Sequence, residues 1–162
     1  MNAPEPPKDP IRFVARDDRW IELTQQANAA YTNRQGQAVD DLYQSALEEA
    51  DKLLRSAENG TGPAQAPAIL VISHHNLAEL ALKRGQTDRA TAHYQGAFDR
   101  LLTLAGNMSA PLELREACMA HLRIALVALV AHLLTCGAPS SKLAREIERA
   151  RNVVHAARGR PC

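Results

Sequence analysis

The sequence predicts an all-α domain of about six antiparallel helices. Hydrophobic residues make up 46% of the chain but aromatic residues only 4%, so alanine and leucine supply most of the apolar side chains, as in packed helices. Apolar residues recur at i, i+4 and i+7 in several stretches, which is the spacing of one helix face. We expect the domain over residues 17–158, between a flexible proline-rich N-terminal tail at 1–16 and a C-terminal tail at 159–162.

The first two helices are predicted from about Asp18 to Arg34 and from Ala38 to Arg55. Asp17 or Asp18 is the expected N-cap of the first. One face of the second helix is apolar and the other is charged, which is typical of a helix packed on a core. Its apolar stripe consists of Val39, Leu42, Tyr43, Ala46, Ala50, Leu53 and Leu54. The following segment, SAENGTGPAQAP, is rich in glycine and proline and predicts a loop.

The third and fourth helices are predicted over roughly 68–84 and 87–105, with Gly85 between them. Glycine there can adopt the left-handed conformation that ends a helix, and Thr87 is the expected cap of the next one. Each helix carries a regular apolar face: Leu70, His74, Leu77 and Ala81 on the third, and Ala90, Tyr94, Ala97 and Leu101 on the fourth.

The fifth helix is predicted from near Pro111 to Cys136, and the sixth from Ser140 or Ser141 to about Arg158. Residues 124–134 form the most apolar run of the chain. This run is shorter than the ~20 residues that cross a bilayer. We therefore expect a buried helix of a soluble protein, with no membrane partner.

Residues 76–98, NLAELALKRGQTDRATAHYQGAF, resemble the tetratricopeptide (TPR) repeat, a pair of antiparallel helices that stacks on its neighbours. The matching residues are Leu77, Ala78, Gly85, Ala90, Tyr94 and Ala97. The flanking copies are degenerate. Upstream, Gly36 mirrors Gly85 with a gap two residues shorter, and Tyr43, Ala46 and Leu47 mirror Tyr94, Ala97 and Phe98; downstream, Leu143, Ile147 and Ala150 take the places of Ala90, Tyr94 and Ala97. The resemblance implies three TPR-like pairs in a short right-handed solenoid.

The resemblance also implies a scaffold or adaptor that binds a peptide or protein partner. In the family, the first helix of each pair lines a concave groove. Carried to the middle repeat, the groove residues are Ile72, His75, Asn76, Glu79, Leu82 and Lys83. Asn76 matches a position that grips a terminal carboxylate in some members, but Ile124 and Ala128 stand at the comparable places of the third pair. The full carboxylate clamp is therefore not expected.

No catalytic or cofactor motif is present, so we expect neither an enzyme nor a cofactor. The adjacent His74 and His75 point about 100° apart on a helix and cannot easily hold one metal. Two further pairs, Cys118 with His121 and His132 with Cys136, could each supply two metal ligands. They are too far apart along the helix to share an ion, so no metal site is predicted, although the sequence leaves open whether either pair ever binds metal.

Two other functions remain open. One is a self-associating structural protein, a homodimer through the apolar C-terminal helix pair, unless residues 11–14 fold back over that surface. The other is a nucleic-acid binder using the basic last helix, which carries Lys142, Arg145, Arg149, Arg151, Arg158 and Arg160. A net charge of +1 and the interleaved glutamates disfavour the second. Three cysteines make no disulfide framework, which favours a cytoplasmic location.

Overall fold

The computed structural model describes residues 16–158, and every regular element in that part of the chain is an α-helix. The helices are α1 (Asp18–Thr32), α2 (Gly36–Glu58), α3 (Ala66–Lys83), α4 (Thr87–Gly106), α5 (Leu112–Thr135) and α6 (Ser140–Arg158). The all-α class and the six-helix layout are confirmed. Residues 1–15 and 159–162, which include nearly all of both expected tails and the expected fold-back at 11–14, lie outside the described residues.

The same backbone turn ends α1, α3 and α5. Its central residue has a positive φ, 55° at Arg34 and 70° at both Gly85 and Gly137. The N–H of the following residue donates to a carbonyl five residues earlier, as in a Schellman motif. These bonds are Gln35 to Ala30 (3.0 Å), Gln86 to Ala81 (2.9 Å) and Ala138 to Leu133 (2.9 Å). The predicted role of Gly85 is confirmed.

The turns align α1, α3 and α5 residue by residue, and α2 with α4, because they lie 51 and 52 residues apart (from Arg34 to Gly85 and from Gly85 to Gly137). This spacing exceeds the ~34 residues of one TPR unit. The second helices account for much of the excess, since α2 has 23 residues and α4 has 20.

The alignment corrects the first predicted repeat. Arg34, and not Gly36, occupies the place of Gly85, while Gly36 begins α2. The gap between the turn residue and the tyrosine is therefore the same in both pairs, and not two residues shorter in the first. Tyr43 follows Arg34 at the same distance at which Tyr94 follows Gly85. The equivalence of Arg34 and Gly85 is not visible in the sequence, because glycine is the usual residue for a positive φ.

The turn alignment does not extend into α6, because α6 begins three residues after Gly137 whereas α4 begins two residues after Gly85. In α6, Ala150 is buried like Ala97, Glu146 is 1% exposed and Ile147 is 41% exposed. Arg145 and Arg149 bind the Glu146 carboxylate at 3.0 and 2.6 Å. Burial by itself would raise the pKa of Glu146, but the bonds from both arginines outweigh it and lower the pKa. A buried charge is tolerated here because it is paired.

One continuous hydrophobic core includes residues from all six helices. Each helix packs on the next along the chain, and α3 also contacts α5 while α4 contacts α6. The first helices of the pairs are neighbours as well. Trp20 Nε1 of α1 donates to Ser73 Oγ of α3 at 2.8 Å. As a result α1, α3 and α5 lie side by side.

The expected helix caps are not formed as predicted. Asp17 occupies the N-cap position of α1, but its side chain makes no capping bond. Gln86 occupies the N-cap position of α4, so the prediction of Thr87 as the cap is wrong, and Thr87 is the first residue of the helix. Packing rather than capping defines these helix starts.

Helix α5 (Leu112–Thr135) agrees with the predicted fifth helix and extends beyond the apolar run 124–134. Its 24 residues are by length and composition sufficient to cross a membrane, with a mean hydropathy of 1.9 over an 18-residue window. A core helix passes the same test, so this alone is weak evidence of a membrane span. Within an 18-residue window of the helix 33% is buried, and Met119 and Leu126 are partly buried against the core.

Small residues bring α3 and α4 together at Ala78, Ala81 and Ala90, all essentially inaccessible. We expect Ala90→Leu to lower the free energy of unfolding by ~1–3 kcal/mol, because the larger side chain overpacks this contact. Urea unfolding measures the change. Ala92→Leu on the exposed face of the same helix is the matched control and should change stability little. Equal stability of the two variants would contradict the close α3–α4 contact.

Candidate functional site

Large apolar side chains are exposed at equivalent positions of α1, α3 and α5. Ile21, Ile72 and Ile124 form one set, which we call the isoleucine row, and are 38%, 44% and 53% exposed. Tyr31, Leu82 and Leu134 form the second, the turn row, and are 41%, 41% and 60% exposed. Ten residues separate the rows along each helix, or about 15 Å, and about 80° around it. Both rows lie on the same half of each helix.

The residues between the two rows are polar in α1 and α3 and apolar in α5. They are Thr24, Gln25 and Asn28 in α1, His75, Asn76 and Glu79 in α3, and Val127, Ala128 and Ala131 in α5. Together with the two rows and Lys83, these residues are called the groove below, a name taken from the surface that the TPR resemblance implies. Its α3 portion is the set of six residues predicted from that resemblance.

The structure places four of those six side chains, Ile72, Glu79, Leu82 and Lys83, on the exposed surface of α3. Asn76 is partly buried between them. His75 is also partly buried, unlike the exposed Lys83, whereas both would be exposed if they lined an open groove. Its Nε2 atom is buried without a hydrogen-bond partner among residues 16–158. The ring packs edge-on against Tyr94, with centroids 5.3 Å apart, which explains its partial burial.

Lys83 is held by Tyr31 of the neighbouring helix. Its Nζ donates a hydrogen bond to the Tyr31 hydroxyl and lies 4.5 Å from the centre of the ring. The hydrogen bond raises the pKa of Lys83 above its usual value. The sequence prediction missed Tyr31, because its equivalence to Leu82 is visible only after Arg34 is aligned with Gly85.

Glu79 is central and unpaired. In the described part of the chain its carboxylate makes neither a salt bridge nor a hydrogen bond. Burial raises the pKa of Tyr43 and of Tyr94, and the Glu79 charge raises both further. The Glu79 charge therefore acts on both hydroxyl groups. Tyr43 Oη donates to Asn28 Oδ1 of α1 at 2.6 Å, which fixes the first of them.

The aromatic contacts of Tyr94 continue to α5. Its ring centre lies 5.0 Å from that of His132, whose Nε2 is 2.7 Å from Thr91 Oγ1. Cys136 Sγ lies 3.6 and 3.9 Å from the two His132 ring nitrogens, so it is not aligned with one of them alone. Burial lowers the pKa of His132, which keeps the ring neutral at neutral pH.

His74 is partly buried and packs against α4. Its Nδ1 is 3.3 Å from Nδ1 of His93 on α4. Burial, and then the neighbouring His93 and His75, lower the pKa of His74 to about 4. Leu23 and Leu126 hold the equivalent positions of the other two pairs. The interpretation of His74 as a packed histidine therefore agrees with its surroundings.

The histidine and cysteine residues converge on no metal centre in the described chain. Residues 16–158 contain no group of three or more His, Cys, Asp or Glu side chains placed to hold an ion. Cys118 is fully buried, and burial raises the pKa of its thiol to about 12. Such a thiol is a core side chain rather than a nucleophile.

Comparison with known proteins gives one family. The model described as "Protein of unknown function (DUF2753)" matches residues 18–160, which cover all six helices. No curated protein and no solved structure matches the chain.

Proposed function

The chain belongs to the DUF2753 family of proteins of unknown function, and we propose that it is an interaction scaffold that binds a peptide or protein partner in the groove. One observation carries the proposal. The exposed isoleucine row and turn row occupy the same register on three adjacent helices. Exposed apolar side chains that are scattered need no explanation, whereas a contiguous set marks an interaction surface.

The dimensions of the groove suit a polypeptide. The rows are about 15 Å apart, and a helix with its side chains is about 10–12 Å wide, so a partner helix or an extended segment fits between them. Association would bury apolar area worth roughly 25 cal/mol per Å² before the cost of ordering the partner. The polar side chains of α1 and α3 would set its orientation.

The proposal assigns no catalytic role. His74 and Cys118 have strongly shifted pKa values, which can mark an active site. In both side chains burial is the main cause of the shift; Cys118 lies in the core, and His74 is partly buried between α3 and α4. Free thiols at Cys118 and Cys136 support the proposed cytoplasmic location.

Leu82→Glu combined with Leu134→Glu should weaken partner binding by about 100-fold or more, because it places two charges in the turn row. Melting temperature should change little, since both side chains are exposed. The control is Met108→Glu with Leu112→Glu, equally exposed apolar residues outside the groove. A photo-crosslinking amino acid at position 82 should capture the partner from cells, whereas the same probe at position 112 should not. Capture at both positions would contradict a groove-specific partner.

Self-association is the second candidate, because α5 and α6 leave apolar surface between them. Met119, Leu126, Ile147 and Val154 line a depression there, and Ile147 is exposed. We propose a homodimer through this C-terminal pair as the alternative. Light scattering at micromolar concentration should then give twice the 17.7 kDa of one chain. A mass of 17.7 kDa would rule out a stable dimer.

Nucleic-acid binding by α6 has less support. Arg145 and Arg149 pair with Glu146, Arg149 also pairs with Asp99, and Arg151 pairs with Glu148. Side chains engaged in this way are less available to phosphate groups. Binding of RNA or DNA with a steep salt dependence would favour this alternative.

A further inference from the structure

The groove contains two charged side chains, Glu79 and Lys83, one turn apart on α3. They differ in their surroundings. Lys83 is engaged by the hydroxyl and the ring of Tyr31. Glu79 is exposed and, within residues 16–158, has no ionic or hydrogen-bonded partner. The groove positions of α1 and α5 carry no charge, so Glu79 and Lys83 are the two groove charges, and of the two only Glu79 lacks a hydrogen-bond partner within residues 16–158.

The side chains around Glu79 favour a positively charged group. The Tyr94 ring is held between His75 and His132, at 5.3 and 5.0 Å, and the Tyr43 hydroxyl is fixed by Asn28. Burial lowers the pKa of His75 more than the Glu79 charge raises it, so at neutral pH this ring does not neutralise the carboxylate. Glu79 lies one helical turn from His75, whose ring packs on Tyr94. A carboxylate next to aromatic rings is a favourable environment for a guanidinium or ammonium group.

The part of the groove that lies on α5 is apolar and uncharged. On α5 the equivalent of Glu79 is Ala131, and Val127 and Leu134 are both exposed beside it. Packed helix axes lie about 8–10 Å apart. A ligand that crosses from α3 to α5 therefore passes from a carboxylate to an apolar surface in about three extended residues.

We propose that the groove recognises a peptide segment with one basic side chain that pairs with Glu79 and an apolar side chain about three residues away that packs on Val127 and Leu134. This inference rests on the proposed function and specifies the chemistry of the partner. A basic group pairs with the Glu79 carboxylate, which has no salt-bridge or hydrogen-bond partner in the described chain, and the apolar residue covers the most exposed part of the turn row. An acidic side chain at the same place would be repelled by Glu79.

The test uses a random 12-residue peptide library displayed on phage, selected on the wild-type chain and on Glu79→Lys. Wild type should enrich peptides with a basic residue and an apolar residue about three positions away. Glu79→Lys should bind those peptides at least about tenfold more weakly and should enrich acidic residues instead. Glu48→Lys, the same charge change at an exposed site on α2, should bind them as wild type does.

The outcomes separate this inference from the proposed function. Peptides that lose binding on Leu82→Glu with Leu134→Glu, but bind Glu79→Lys normally, would overturn the charge recognition and leave the groove in place. Peptides that bind all these variants equally would overturn both, as would a library that yields no enriched peptide. Loss of binding on Glu48→Lys as well would show a general charge effect and would also overturn the role of Glu79.

Discussion

Acidification from pH 7 to pH 4 should lower the free energy of unfolding by about 3 kcal/mol through His74 alone. Burial and the neighbouring His93 and His75 lower its pKa to about 4 in the folded chain, against 6.5 for a free histidine. Between these pH values the unfolded chain binds a proton that the folded chain does not. Stability is therefore unaffected above pH 6.5, falls as the pH drops below it, and levels off near pH 4.

Urea unfolding at half-unit pH steps measures this loss. His74→Leu should flatten the profile between pH 6.5 and 4, because leucine does not titrate and occupies the equivalent positions Leu23 and Leu126. Protonation of paired carboxylates such as Glu146 also lowers the free energy of unfolding in acid. The quantity to compare is therefore the difference in the free energy of unfolding between wild type and variant at each pH. His155→Gln, at an exposed site on α6, is the control. Identical pH profiles for wild type and His74→Leu would show that His74 is not held neutral by its surroundings.

Arg84→Ala combined with Arg89→Ala should destabilise the chain by about 3–5 kcal/mol, because it leaves Asp40 as an uncompensated buried carboxylate. Asp40 of α2 is 6% exposed. Arg84 forms an ion pair with it and also donates to the carbonyl of Gly36 at 2.9 Å. Arg89 Nη1 lies 3.0 Å from Asp40 Oδ1, an ionic contact rather than an aligned hydrogen bond.

A third substitution separates the buried charge from the loss of packing. In the triple variant that adds Asp40→Ala, no charge remains to be desolvated, so much of the lost stability should return. Chemical denaturation of the double and triple variants makes the comparison. If the triple variant were less stable than the double variant, the arginine side chains would matter through packing. This cluster ties the first helix pair to the turn between α3 and α4.

The six helices and most of their bounds could be predicted from the sequence, because a helix depends on interactions between residues three and four apart. The core faces of α3 and α4 follow from the same periodicity: Leu70, Leu77, Ala90 and Ala97 are all buried as expected. The turn at Gly85 was predictable because its φ of 70° favours glycine. The groove residues of α3 were predictable only through the TPR resemblance.

Other features depend on contacts between segments far apart in sequence. Arg34 adopts the turn conformation of glycine, and Glu146 is buried beside the apolar Ile147, because two arginines compensate its charge. His75 is half-buried because Tyr94, on the next helix, packs against its ring. None of these neighbours is set by helical periodicity.

The sequence by itself therefore determined which segments are helical and which face of α3 and α4 is buried, since both follow from local spacing. Only the tertiary structure decided that Tyr31, Leu82 and Leu134 lie in one row and that Glu79 stands unpaired among the side chains of three helices. The physical reason is that an exposed position on one helix becomes part of a surface only when its neighbours are placed beside it. That placement comes from the shared core, to which all six helices contribute.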